Sequence, residues 1–300
     1  MSDHIQMAAG IAFAGGTLDR APQLRSDDDA ARLRGLDSSR AVVIGPGQEI
    51  ALESDQTLLR VPVGELSPLT FLGLDPAGAA VFAYDAVGTD KQIDGRPPRF
   101  APLRELLAEL EPSQAALAAY AAGMVGWHRV NRYCGRSGHA TEIEASGHRR
   151  RCPGCGLVVF PRTDPVVTML VTAGERCLLS RRQGAPEHRW SALAGFVEPG
   201  ETLEEAVARE AREETGIEVA RVEYVAGQPW PFPAALMIGF WAFVDPHHPG
   251  APEPQPDELL DARWFERSEL RAALAEQRMD IPPPGTIGNY LIRMWLELTA

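Results

Sequence analysis

Apolar positions fall into three textures along the chain. Over residues 1–100 the short apolar runs Ala41–Ile44, Thr57–Val63 and Ala80–Tyr84 alternate with Gly, Pro and Asp turn residues, which predicts β-strands. Leu103, Leu106, Leu107 and Leu110 recur at i, i+3, i+4 and i+7 and predict an amphipathic helix, and an alanine-rich stretch from Ser113 to about Trp127 predicts a second. Residues 131–162 form a compact insert rich in Cys, Gly and Arg. From Pro165 onward strands and helices alternate. Pro165–Thr172 and Arg176–Ser180 read as strands, Leu203–Glu214 as a helix and Leu236–Val244 as a buried strand. Ile287, Leu291, Met294, Trp295 and Leu298 keep the spacing of a C-terminal helix. His247–Pro256 is proline-rich, and proline cannot donate to a sheet ladder, so a surface loop is expected there.

The 300 residues suggest about two domains of ~150 residues each. With 45% hydrophobic and 23% charged residues the chain can bury a core, which excludes wholesale disorder. The net charge of −12 disfavours nonspecific gripping of phosphate polymers. Lysine occurs once, at Lys91, and arginine supplies the remaining positive charge, suiting planar bidentate contacts. The longest apolar run, Met237–Val244, is far short of the ~20 residues that cross a bilayer, so no membrane partner is expected. Met1-Ser2-Asp3-His4 offers no basic region ahead of Met7–Ala14, and four cysteines do not make a disulfide scaffold. A cytoplasmic location is the expectation.

The most informative stretch runs from Gly195 to Ile217. Pro199-Gly200 makes a turn, Thr202 and Glu205 have capping-box spacing, and Gly216 sits where a helix ends in the left-handed conformation. Glu210 and Glu214 are i, i+4 and share a helix face with Glu213 beside them. Such neighbours repel by ~0.2–0.5 kcal/mol per pair, a cost that a hard cation such as Mg²⁺ or Mn²⁺ reverses. Arg209 adjoins the cluster, with Glu201 its natural carboxylate partner. A solvated acidic face is the bland alternative. Seven fixed positions (Gly195, Glu201, Arg209, Glu210, Glu213, Glu214 and Gly216), each matched by chance ~7% of the time, put a random occurrence on the order of 10⁻⁸ per start.

These residues resemble the Nudix box with no departure at a fixed position. The resemblance implies an α/β (α+β) fold, a Nudix α/β/α sandwich preceded by a smaller β-rich domain and a zinc-ribbon-like segment. The expected boundaries are 1–125, 126–162 and 163–300. It implies hydrolysis of a nucleoside diphosphate linked to another moiety, with Glu210, Glu213, Glu214 and the Ala194 carbonyl holding Mg²⁺ or Mn²⁺, and Glu213 a further ligand or the base for the attacking water. Gln228-Pro229-Trp230-Pro231-Phe232-Pro233-Ala234-Ala235 is similar to the signature of the NAD(H) pyrophosphatases, the NudC-type branch, although Gly227 and Ala235 stand where that branch has serines. Two aromatics on a proline-stiffened backbone could stack a base, at ~1–3 kcal/mol each, or could be tucked into the core. Pro256-Asp-Glu-Leu-Leu resembles the branch's acidic segment, with Glu258 an added metal ligand. Pro282–Gly288 resembles its tail motif, with Gly288 where alanine is common, and Phe160 and Phe196 stand where it places flanking aromatics. The branch cleaves NAD(H) to NMN(H) and AMP, can remove NAD caps from RNA, and forms homodimers. Alternatives are a Nudix enzyme for ADP-ribose, dinucleoside polyphosphates or coenzyme A, and a non-catalytic sensor or regulator.

Cys134-Gly-Arg-Ser137 and Cys152-Pro-Gly-Cys155 frame fourteen residues, 138–151. Two Cys-x-x-Cys knuckles would make a tetrahedral zinc site, but the family's second cysteine is Ser137 here, and a hydroxyl is a poor zinc ligand. The site could recruit His139 or His148, bind Zn²⁺ weakly through Cys134, Cys152 and Cys155, or have lost the metal. The missing thiol predicts less than one tightly held zinc per chain, and full occupancy would support a histidine ligand. Cys177 reads as a core residue, and His148-Arg-Arg-Arg151 as a solvated ribbon face with an RNA or phosphate contact as the second reading.

Overall fold

The computed structural model describes residues 10–54, 57–88 and 98–298. Met1–His4 and Lys91, on which two sequence readings rested, lie outside the described residues. No helix among the described residues is long and apolar enough to cross a membrane. The chain divides into two compact units, residues 12–163 with 230–234, and residues 164–229 with 235–300 and the first eleven.

In the first unit, helix α1 (Asp27–Arg34) starts at Ser26, whose hydroxyl accepts the Asp29 amide. Strands β1 (Arg40–Ile44), β2 (Glu49–Ser54), β3 (Thr57–Leu58), β4 (Arg60–Pro62), β5 (Leu69–Leu74), β6 (Ala80–Asp85) and β7 (Arg99–Pro102) form one sheet of order β3-β2-β1-β6-β5, with β4 on β1 and β7 on β2. Strand side chains alternate between faces, and both faces are buried. Val42 and Ile44 join a core with helix α2 (Pro112–Val130), while Ala41 and Val43 join Phe71, Phe82 and Tyr84 on the other side. The predicted strand Thr57–Val63 is broken at Leu59, and the alanine-rich helix forms as expected.

The helix predicted over Leu103–Leu110 does not form. Turns replace it, with the Leu106 amide on the Leu103 carbonyl and the Glu109 amide on that of Leu106, both at 3.2 Å. Pro102 and Pro112 bracket the segment, the residue before a proline is kept out of the helical region, and so short a helix is marginal on its own. Its leucines still serve the core: Leu103, Leu106 and Leu110 are buried.

Strands β8 (Glu142–Glu144), β9 (Arg149–Arg151) and β10 (Val158–Val159) build a small ribbon of order β10-β9-β8. The basic run on β9 is not the free solvated face that composition suggested. Arg149 and Arg151 close on Glu144 at 2.7 and 2.8 Å. Arg150 is buried, bonded to Thr141 and to Nδ1 of His128, whose imidazole burial pushes down to about 4.

The second unit carries β11 (Asp164–Ala173), β12 (Arg176–Arg182), β13 (Leu193–Phe196), α3 (Leu203–Thr215), β14 (Arg221–Trp230), β15 (Ala235–Phe243), β16 (Leu259–Glu266), α4 (Arg267–Ala275) and α5 (Ile287–Glu297). The sheet order is β14-β15-β11-β12-β16, with β13 on β11 and a parallel β11–β15 pair at its centre. Val167, Met169 and Val171 of β11 pack with Ala206, Val207 and Ala211 of α3. Helix α5 lies on β11 and β15, where Gly239 makes room for it: a Cβ there would stand 2.8 Å from Ile287 Cδ1. Helix, mixed sheet and helix make the expected α/β/α sandwich. The stretch from Gln228 to Trp230, which reads as the start of a stiff loop, is the end of β14.

Candidate functional site

Helix α3 is set at both ends by its own sequence. The Thr202 hydroxyl accepts the Glu205 amide at 3.2 Å, the Glu205 carboxylate accepts the Thr202 amide at 2.7 Å, and Gly216 closes the helix at φ 70°. Arg209 organises the acidic face. Its guanidinium grips both oxygens of Glu201 and donates to Glu210 Oε1 at 2.9 Å, Glu213 Oε2 at 3.0 Å and the Phe196 carbonyl at 2.9 Å. Those bonds raise the Arg209 pKa further and, with the Glu198 amide, hold Glu201 down at about 2. Gly195 is required by the same geometry, since a Cβ there would fall 1.8 Å from Glu210 Cδ. Gly195 and the Glu210 carboxylate share one space.

Glu214 is the driest of the carboxylates, with a side chain 2% exposed. Its Oε1 accepts from Arg182 Nη2 at 2.8 Å, and Oε2 is buried beside the Glu258 carboxyl. Burial raises its pKa to about 7. The Arg182 cation opposes the rise; Glu210 and Glu258 add to it by repulsion, and Glu258 also by a side-chain hydrogen bond. Glu210 is raised as well, again chiefly by burial, with Glu213 and Glu258 contributing. Glu258 therefore joins the cluster from the segment before β16, held there by the Gln255 amide on the Glu214 carbonyl at 2.9 Å. The Ala194 carbonyl accepts from the same Arg182 Nη2. Arg182 escapes sequence reading because its partners lie 12 and 32 residues away, and only an Arg-Arg pair at a strand end marks it. Hard oxygen donors of net negative charge suit Mg²⁺ or Mn²⁺, although among the described residues only the cysteines of the ribbon already bring three ligand atoms of His, Cys, Asp or Glu within 4.8 Å of one another. The cluster would also place such a cation against a diphosphate.

The other candidate residues are distributed as follows. Phe196, at the end of β13, is 62% exposed and stands free, as does Phe160 of the first unit at 61%. Gln228 is buried; its amide donates to the Gly285 carbonyl at 2.7 Å and its oxygen accepts the Ile287 amide at 2.8 Å, so it ties the Pro282–Gly288 turn to α5. Gly288 is buried in the first turn of α5, where a methyl group would meet Pro282 at an ordinary 3.4 Å. Pro229 and Ala235 belong to the second unit, whereas Trp230–Ala234 belongs to the first. There Trp230 and Phe232 meet edge to face at 5.2 Å, Phe13 lies 6.1 Å from each, and the Pro231 carbonyl accepts from Gln48 at 2.5 Å. Arg104 caps the pair, 4.9 Å over Phe232. Both rings are half-buried against the core containing α2, so the core reading describes much of their surface.

In the ribbon the sulfur atoms of Cys134, Cys152 and Cys155 lie within 4.8 Å of one another. Ser137 Oγ is 3.3 Å from Cys152 Sγ. Its hydroxyl is the main cause holding Cys152 below the ordinary thiol range and bringing Cys134 down to about 6. Three convergent soft donors suit Zn²⁺. Cys177 is fully buried, its thiol pushed up by burial, as a core residue should be.

Comparison with known proteins agrees with this division of labour. Residues 162–283 match the NUDIX domain family, 126–160 the NADH pyrophosphatase zinc ribbon domain, and 19–127 the NADH pyrophosphatase-like rudimentary NUDIX domain. The chain is 37% identical over 219 residues to the NAD-capped RNA hydrolase NudC of Stutzerimonas stutzeri, covering 73% of this chain and 74% of that one. It is 36% identical over 240 residues to the human NAD-capped RNA hydrolase NUDT12, covering 76% of this chain but only 50% of its relative. Identity to the human mitochondrial NAD(P)H pyrophosphatase NUDT13 is 35% over 240 residues, covering 75% and 66%.

Proposed function

From the premise that this chain belongs to the Nudix hydrolases, in the NADH pyrophosphatase branch, we propose that it hydrolyses the diphosphate of NAD(H) to NMN(H) and AMP and removes NAD caps from RNA by the same reaction. The observation that carries this reading is the acidic cluster of Glu210, Glu214 and Glu258, close enough for their repulsion to raise the Glu214 pKa, beside an Ala194 carbonyl that shares Arg182 with Glu214. These groups would hold Mg²⁺ or Mn²⁺, which supplies charge neutralisation on the diphosphate and a more acidic bound water. Water adds to one phosphorus, the bridging P–O bond breaks, and each product leaves as a monophosphate.

The chain's own residues do the rest. Arg209 fixes Glu201, Glu210 and Glu213 in register, so the acidic face does not reorganise during turnover. Glu213, the most exposed of the three, bonds Arg209 through Oε2 only and would accept the proton of the attacking water on its other oxygen. Arg182, already among the carboxylates, is placed to meet a phosphate oxygen. Phe196 offers an exposed ring for a base. Cys134, Cys152 and Cys155 hold a structural Zn²⁺. A homodimer is part of the same proposal.

The deciding experiment is a substrate panel in Mn²⁺ with products identified. NADH and NAD-capped RNA should turn over fastest, giving NMNH and AMP from the former. Equal or faster hydrolysis of ADP-ribose, a dinucleoside polyphosphate or coenzyme A would overturn the assignment, and no cleavage at millimolar metal would point to a sensor.

A further inference from the structure

The ribbon contains a near-repeat that locates its missing ligand. The first knuckle is closed by the Cys134 amide on the His139 carbonyl and the Gly138 amide on the Cys134 carbonyl, both at 2.8 Å. The second repeats this, with the Cys152 amide on the Leu157 carbonyl at 2.8 Å and the Gly156 amide on the Cys152 carbonyl at 2.9 Å. Gly138 and Gly156 share φ 73°, a conformation that suits glycine. Ser137 therefore occupies the place that Cys155 fills in the other knuckle, and the backbone is shaped for four donors although only three are thiols.

Two histidines could supply the fourth. His148 is engaged elsewhere, its Nε2 2.7 Å from the Phe71 carbonyl and its ring half-buried against the large sheet. His139 lies next to that fourth corner, its ring nitrogens not within 4.8 Å of all three sulfurs. Its Nδ1 is 3.2 Å from Ser137 Oγ, which in turn is 3.3 Å from Cys152 Sγ. The imidazole lies flat across the second knuckle, so close that a Cβ on Gly154 would be 2.7 Å from Nδ1. The ring is exposed, so an inward turn toward the sulfurs would not begin from a packed core position. A neutral imidazole is a good zinc donor, whereas the serine hydroxyl must lose a tightly held proton to become one.

We infer that His139, through Nδ1, completes a Cys₃His zinc site with Cys134, Cys152 and Cys155, displacing the Ser137 hydroxyl from the fourth corner. The inference rests on the zinc reading proposed above, and the full-length chain can be tested for both. Zinc affinity is measured by competition with a chromophoric chelator, and the ligand set is read from the visible spectrum of the Co²⁺-substituted protein. The wild type should hold one Zn²⁺ per chain and show a three-sulfur, one-nitrogen spectrum. His139→Ala should weaken zinc by at least ~10-fold and lose the nitrogen signature, while Ser137→Ala stays within about threefold of wild type. Adding Ser137→Cys to His139→Ala should restore affinity with a four-sulfur spectrum, which also shows that the doubly substituted ribbon folds. The inference is overturned if Ser137→Ala costs as much as His139→Ala, or if the wild type holds no metal while Ser137→Cys does. Failure of both the wild type and Ser137→Cys to bind zinc would instead remove the zinc reading itself.

Discussion

Glu214 combines its proposed role as ligand with the energetic cost of being dry. Folding raises its carboxyl from an ordinary 4.5 to about 7, so between those values the folded chain holds a proton that the unfolded chain has released. The stabilisation is fully present below 4.5 and disappears as the pH rises through 7. In chelator, the melting temperature of Glu214→Gln relative to wild type should therefore increase between pH 5 and pH 8, and a pH-independent difference would contradict the burial argument. The same substitution should lower turnover at least ~10²-fold with the fold intact, because it deletes ligand charge; near-normal activity would dismiss Glu214 as a ligand. Gly195→Ala should act through its neighbour. The new Cβ evicts the Glu210 carboxylate from its place, and Mn²⁺ titrated into the substrate-free protein should bind at least ~10-fold more weakly. At this scale the box glutamates were legible because i, i+4 spacing is a local property. Arg182 was not, because its partners come from other segments.

Helix α3 shows an element written almost entirely in its own sequence. Thr202→Ala removes one half of the capping box and should cost about 1 kcal/mol, lowering the melting temperature by roughly 2–4 °C. A calorimetric scan showing no shift would mean that packing against β11 and β13, rather than the cap, sets the helix start. The Leu103–Leu110 segment behaves in the opposite way. Its leucine spacing satisfies a helical pattern, yet the flanking prolines and the demands of the core leave it as turns with the same side chains buried. Periodicity reports which residues face inward more faithfully than it reports the backbone that carries them. The aromatics of the Trp230–Phe232 segment add a second case, since a proline-rich stretch open to both a stacking and a core reading packs half-buried beside Phe13 and under Arg104.

Across the whole molecule the charge of −12 works against a polyanionic substrate, and the one basic run that might have offset it is spent on Glu144, Thr141 and His128. Long-range repulsion is screened as the Debye length falls from about 30 Å at 0.01 M salt to 8 Å at 0.15 M. The kcat/KM for NAD-capped RNA should thus rise over that range relative to NADH, and a steep fall would reveal a basic RNA track instead. The sequence by itself determined the chemistry: a capped helix with carboxylates one turn apart, an acidic reinforcement downstream and an incomplete set of thiols, all encoded in spacings of a few residues. Tertiary structure alone decided which groups share a space, so that Glu210 fills the place a side chain at 195 would need, Arg182 reaches Glu214, and His139 rather than His148 lies next to Ser137 at the thiol cluster. The physical reason is that helical and knuckle geometry follow from neighbours along the chain. Burial, ion pairing and ligand completion depend on which distant segments the sheets bring together.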